Sequence, residues 1–494
     1  MGGLLALLAT PLVLAFRTGG YLDETRLAAG VVAWLVVLAA AVAAPRPLPM
    51  TGRARLALAA LLLIAAWTGA SLAWAPLSGR ATDDLERVLL YLGTLAGAVA
   101  WLRDRPVARL AEPALALTAL AAAVYGLAGH LLPDLVEQDL SRRALGRLEQ
   151  PLTYWNAMGA LTALGLVLCA SMAGDVERRL SIRAAALASA VPLGAALYLT
   201  YSRGALAALA VGAAALAVFA RVRQPLVGLG AVLIAASAGG LAVAVFPAVA
   251  DGAADPGAQG PAAFAVLAVL STAACVVGVM LARRAAATEQ RLPQRARLVR
   301  ACAIAALAVT LVGGWGITLA STEHVQPDEA GANAGRLRSL DSQRYEYWRV
   351  ALDTFASHPL AGVGTGGFAV EWLRERPAGS VGAVDAHSLY IETAAELGVI
   401  GLAALALLAA AIAACAARAL RVDPALAAGP TAALAAFAFH TGLDWDWEMP
   451  ALTLVALLLA AVVVAAADRG GRPGACNASA RWTARDSQST RPAP

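Results

Sequence analysis

Lysine is missing from this chain, and all 38 basic residues are arginine. Charge of either sign is scarce: only 14% of the 494 residues are Asp, Glu, Lys or Arg, against 60% hydrophobic, with a mean hydropathy of +0.68. That balance excludes an ordinary soluble domain. Cysteine is nearly as scarce. Cys169, Cys275, Cys302 and Cys415 fall inside apolar runs and Cys476 in the tail, so neither an outer disulfide framework nor a zinc-type spacing exists. No repeat of solenoid period is visible. A lysine-free, Ala- and Arg-rich composition reflects a GC-rich codon supply and carries no mechanism.

What is present is a succession of apolar runs, each long enough to cross about 30 Å of hydrocarbon as a helix. Fourteen are expected, at 3–16, 28–44, 55–75, 84–101, 110–132, 153–173, 183–200, 204–220, 225–247, 262–282, 301–320, 394–417, 424–440 and 450–467. The first is short and the 183–220 pair is nearly continuous, so twelve to fourteen spans bracket the expectation. Residues 1–16 lack a basic leader and read as a first membrane helix, not a secretory signal. The chain is therefore expected to be an all-α polytopic integral membrane protein. One membrane domain is expected over 1–467, followed by a disordered cytoplasmic tail at 468–494.

Arginine placement sets the expected orientation. With the N-terminus in the cytoplasm, inner loops hold groups such as Arg103, Arg105, Arg109 and Arg178, Arg179, Arg183, whereas the outer loops at 250–260 and 441–449 have none. The net charge of +5 is thus topological and gives no reason to invoke nucleic acid. This orientation puts one long polar stretch, 321–390, outside, with Arg203 and all five histidines on or near the same face.

That stretch holds the candidates for chemistry. Asp341 or Ser342 can cap a helix with Glu346 in its first turn, and Tyr345, Trp348, Leu352 and Phe355 form one apolar stripe along it. Pro359 and the glycines of 362–367 break that helix. They lack the Lys-Ser/Thr of a phosphate loop and read as a turn in which backbone packs closely. Arg336, Arg338 and Arg344, with Arg203 in Tyr201-Ser202-Arg203-Gly204, are guanidinium groups able to grip phosphate oxygens bidentately. His387 offers a base for a hydroxyl near neutral pH. Glu392 and Glu396 follow where a membrane helix begins, at the end that favours negative charge. Asn156 opens another helix, where it can cap or touch a sugar. The acidic and aromatic segment 440–450 has the composition of a sugar-binding surface, but an interfacial tryptophan belt explains it adequately and is the preferred reading.

Taken together, these residues resemble the O-antigen ligase and polymerase superfamily of bacterial surface-polysaccharide assembly. The resemblance rests on Ser202-Arg203-Gly204, on Arg344 and Trp348 followed by His358-Pro359-Leu360 and Gly362 to Phe368, and on His387-Ser388 leading into Glu396-Leu397-Gly398. It covers roughly residues 150–450 and implies a GT-C-like membrane glycosyltransferase of the bacterial cytoplasmic membrane, inverting and independent of metal or other cofactor. The implied donor is a glycan on polyprenyl pyrophosphate. The implied acceptor is a glycan, a lipid or a wall component, and ligase and polymerase stay open. By the same resemblance, Arg203 and Arg344 bind pyrophosphate and His387 activates the acceptor. Arg336, Arg338, Tyr201, Asn156, Trp348 and Glu392 are candidates for further substrate contact. A carrier, like the bicarbonate-uptake relatives, is the competing reading; carriers place polar groups at mid-membrane, whereas the polar groups here collect at one surface.

Overall fold

The computed structural model describes residues 2–44, 47–285, 344–378, 380 and 382–469. Among them all regular structure of any length is helical. The chain order is α1 (Gly2–Ala15), α2 (Asp23–Ala43), α3 (Gly52–Ser71), α4 (Ser78–Trp101), α5 (Ala111–Leu131), α6 (Trp155–Gly174), α7 (Leu180–Leu199), α8 (Arg203–Phe219), α9 (Gln224–Ala244) and α10 (Gln259–Ala285). After the undescribed stretch come two short helices, α11 (Arg344–Ser357) and α12 (Phe368–Glu375). The bundle is completed by α13 (Leu389–Val422), α14 (Pro424–His440) and α15 (Pro450–Arg469). Nine described helices are long and apolar enough to cross a membrane. Every expected span coincides with a helix except 301–320, which lies outside the described residues.

Composition decides which helices sit at the centre. α15 is apolar on every side and wholly enclosed, and α6, rich in Ala and Gly, is nearly so. α10 and α2 leave most of their apolar surface outward, as lipid-facing helices do. Water supplies no driving force between helices inside a bilayer, so close packing has to come from small residues. At the α7–α9 crossing, a Cβ on Gly194 would lie 2.1 Å from the Ala236 carbonyl oxygen, and one on Gly239 would lie 2.0 Å from that of Val191.

The connectors sort into two ends. At one, arginines pair with acids: Arg105 with Asp423 (2.6 Å) and Glu177 (2.6 Å), Arg109 with Asp175 (2.5 Å), and Arg178 with Glu112. There the Asp468 carboxylate also accepts the Met50 and Thr51 N–H groups, capping α3 from the end of α15. At the other end, the connectors carrying Tyr21, Tyr154, His387 and Asp444 touch one another, and Tyr201 reaches the connector at Ala250. This loop end carries the candidate chemistry.

α13 begins five residues before the expected 394, because the turn bearing Glu392 is already helical ahead of the apolar run. Its helix is interrupted at Gly398, whose φ of 64° lies in the left-handed region. The interruption lets the 359–364 loop lie against the helix backbone. Val399 N–H reaches the Pro359 carbonyl at 2.8 Å, and Gly364 N–H reaches that of Glu396 at 2.9 Å. A Cβ on Gly362 would sit 2.2 Å from the Glu396 carbonyl carbon, and one on Gly398 would sit 2.3 Å from the Leu360 oxygen. Close backbone packing is therefore what these glycines provide. Gly362→Ala and Gly398→Ala are each expected to cost at least about 2 kcal/mol, read as a lowered unfolding temperature in detergent. Gly30→Ala, whose added methyl meets nothing within 4 Å, is expected to leave that temperature unchanged.

Candidate active site

The described part of the long polar stretch folds as a cap on α13. Tyr347, Trp348, Val350 and Ala351 of α11 pack with Phe368 and Trp372 of α12 and with Ala386 and Ala395. The expected stripe is corrected here. Of its members only Trp348 is enclosed, while Tyr345 and Leu352 are 48% and 50% exposed. The helix is held between two elements, so its buried face is broad and turned toward Tyr347 and Ala351. Trp348 is thus part of the cap's core. The cap is anchored by Glu396, whose two carboxylate oxygens accept the Gly366 and Phe368 N–H groups, each at 3.0 Å. The glycine loop's amides are used within the fold, as expected of a turn.

Arg344 stands at the first position of α11, the end of a helix where a positive charge is disfavoured. Its counterion comes from a distant connector. Nη2 donates to Asp444 Oδ2 at 2.5 Å, and Asp444 is only 1% exposed. The same carboxylate accepts the Tyr154 hydroxyl at 2.7 Å and the Trp445 N–H at 3.0 Å, while Asn156 Nδ2 donates to the Tyr154 oxygen at 2.8 Å. Burial pushes the Tyr154 phenol up, and the Asp444 carboxylate adds to this, so the phenol stays a donor. Burial alone would raise Asp444 too, but Arg344, His387 and His440 outweigh it and hold the group below its ordinary value. Asn156 therefore stands behind Arg344, at the far end of a chain of polar contacts.

His387 is held in a conformation that a non-glycine residue seldom adopts, with φ of 55°. Three ties maintain it. Glu392 Oε2 accepts the Ala386 N–H at 2.6 Å, Leu389 N–H donates to the Thr441 carbonyl at 2.8 Å, and the ring Nδ1 lies 3.0 Å from the Asp385 carbonyl oxygen. A carbonyl can only accept, so Nδ1 carries the hydrogen, and in the neutral ring Nε2 bears the lone pair. The half-buried ring lies between Tyr347 (5.2 Å between centroids) and Trp445 (6.4 Å). Trp445 adjoins Asp444, so the same connector carries the Arg344 counterion and flanks the imidazole.

Arg203 is half-buried at the start of α8, where Ser202 accepts the Ala205 N–H. Its neighbour Gly204 packs on His440: a Cβ there would lie 3.2 Å from Nε2. The other ring nitrogen of His440 meets Asp446 Oδ2 at 2.5 Å, two residues from Asp444. Arg203 is thereby brought to the neighbourhood of the 440–446 connector. The Tyr201 hydroxyl is donated to the Ala250 carbonyl at 2.6 Å, and no described contact joins it to Arg344 or His387. Glu392 meets the backbone beside His387, not the ring. Arg336 and Arg338 lie outside the described residues. Arg147, stacked 3.6 Å over the Trp155 ring next to Tyr154, adds a cation that the motif reading passed over. Among the described residues, no group of three His, Cys, Asp or Glu is arranged to hold a metal ion.

Residues 256–406 match the family model described as O-Antigen ligase. This range takes in Arg344, Trp348, His387 and Glu392, whereas Tyr154, Arg203 and Asp444 lie outside it. No curated protein matches the chain. The match supports an O-antigen ligase-like family, and with it glycan transfer of the ligase or polymerase type in a membrane.

Removing Asp444 strands a largely buried guanidinium. Asp444→Ala is expected to cost about 3–5 kcal/mol in unfolding free energy. The sign of the pH effect follows from the lowered carboxyl. The stabilisation it contributes is complete above the ordinary value of 3.8 and is lost as pH falls below it. Asp444→Asn is expected to flatten the acid limb of the stability curve measured by thermal unfolding between pH 2 and pH 6.

Proposed function

We propose that this chain, with its O-antigen ligase domain over residues 256–406, transfers a glycan from a polyprenyl pyrophosphate carrier to an acceptor hydroxyl. The loop end faces away from the cytoplasm, on the asymmetry of arginine between the two sets of loops. The observation that carries the reading is the meeting of two distant segments. Asp444 holds Arg344, and its neighbour Trp445 flanks His387, so a fixed cation and an oriented imidazole share one connector.

Each group has one task in this reaction. The acceptor oxygen attacks the anomeric carbon while the bond from that carbon to the pyrophosphate oxygen breaks, its electron pair leaving with the diphosphate. His387 Nε2 takes the acceptor proton, since Nδ1 is already committed to the Asp385 carbonyl. Arg344 and Arg203, charged at any relevant pH, stabilise the negative charge that grows on the departing pyrophosphate. Arg336 and Arg338 are assigned as further phosphate contacts by their chemistry and their place in the same polar stretch. Tyr154 and Asn156 keep the Arg344 counterion in place. A single in-line displacement inverts the configuration at the anomeric carbon.

The test incubates purified protein with a polyprenyl-pyrophosphoryl oligosaccharide and candidate acceptors. Arg344→Ala, Arg203→Ala and His387→Ala are each expected to lower turnover by about 10²-fold or more, and a chelator is expected to leave it unchanged. Full turnover by Arg344→Ala and His387→Ala together would remove the proposed site.

A further inference from the structure

A cleft opens at the loop end between α3, α4 and α13, where about 530 Å³ of non-atom space, open solvent included, lies among its lining residues. Its floor is apolar, built from Ile64, Val88, Leu397 and Leu405. Its walls carry Asp84, Arg87, Glu392, Glu396, Trp447 and Glu448. Its one guanidinium, Arg87, is already paired with Asp84, so the cleft offers no uncommitted cation to a pyrophosphate.

The valences left open describe what it accepts. Both Glu396 oxygens are occupied by loop amides, and Asp84 accepts from Arg87 and from Thr365. Arg87 is 7% exposed, lies 4.0 Å from Glu448, and keeps a buried Nε that has no hydrogen-bond partner. Burial pushes the Glu448 carboxyl well above its ordinary range, so it supplies a hydroxyl donor as well as an acceptor. Beside these stand the Thr393 hydroxyl and the Trp447 ring. Neutral acceptors and donors, one aromatic wall and no uncommitted cation suit an uncharged polyol. They disfavour a carboxylate- or phosphate-bearing ligand.

The cleft adjoins the turn that holds the imidazole, with Leu389 and Glu392 lining it. The Glu392 side chain also holds the Ala386 N–H next to His387. We infer that this cleft receives the uncharged, hydroxyl-rich end of the acceptor glycan and presents one of its hydroxyls to His387. The inference rests on the transfer reaction proposed above, and it excludes acidic sugars from the acceptor terminus.

Saturation-transfer NMR on the full-length protein in nanodiscs tests this without donor or turnover. The probes are neutral trisaccharides (maltotriose, cellotriose and mannotriose) and trigalacturonate as the acidic counterpart. At least one neutral trisaccharide is expected to bind, at least about tenfold more tightly than trigalacturonate. Thr393→Trp, which fills the cleft, is expected to abolish that binding. Glu448→Gln, which keeps a neutral donor and acceptor at that wall, is expected to preserve both neutral binding and the gap between neutral and acidic probes. His387→Ala is expected to keep neutral binding while losing transfer, which separates this inference from the reaction itself. Equal binding of both probe classes, no binding of any neutral probe, or neutral binding untouched by Thr393→Trp overturns the cleft's role. Transfer by the wild-type protein would then stand without it.

Discussion

The loop end is organised by one buried ion pair between segments a hundred positions apart, Arg344 and Asp444. A guanidinium at the start of a helix gains nothing from that helix, and a carboxylate at 1% exposure tolerates its charge only with a partner. Each therefore requires the other. Because Asp444 also receives the Tyr154 hydroxyl, the start of α6 and the connector before α15 are fixed to the same point. The cap is thus locked to the central helices by electrostatics as well as by apolar contact. In a chain so poor in charge, an enclosed pair of this kind is costly unless every valence is met, and here tyrosine and a backbone amide meet the remainder.

The imidazole depends on that lock at one remove. His387 occupies a left-handed backbone conformation, sustained by Glu392, the Thr441 carbonyl and its own contact with Asp385. Such strain persists where the surroundings over-determine it. The consequence is a fixed tautomer with Nε2 free of intramolecular duty in this arrangement. Arg344 and Arg203 lie by the 440–446 connector, while carboxyl groups line the cleft under Glu392. In the proposed reaction the charged donor and the uncharged acceptor then lie on either side of one base.

Much of this was legible in the residues. Apolar runs announced the helices because hydrocarbon demands length and leaves few alternatives. The glycines of 362–367 announced close backbone packing, since the phosphate-loop lysine was absent. The register of α11 was not legible, because periodicity assumes one buried stripe and this helix is enclosed on two sides. Nor was the importance of 440–446. Asp444, Asp446 and Glu448 alternate with tryptophans in the manner of an interfacial belt, and only the fold shows Asp444 and Asp446 as enclosed partners of Arg344 and His440. One signal was available: this loop holds three acids and no arginine, in a chain where several other loops hold arginines that require counterions. Tyr201 and Asn156 are common residue types whose neighbours no spacing rule could name.

The central claim is that guanidinium groups beside His387 grip a diphosphate. Phosphorus-to-nitrogen distance measurement by solid-state NMR, on protein labelled with nitrogen-15 in its arginine side chains and loaded with polyprenyl pyrophosphate, addresses it directly. The account predicts through-space coupling from the phosphorus atoms to more than one arginine, with one contribution disappearing in Arg344→Ala. Coupling to no arginine, or a pattern identical in Arg344→Ala, would contradict it.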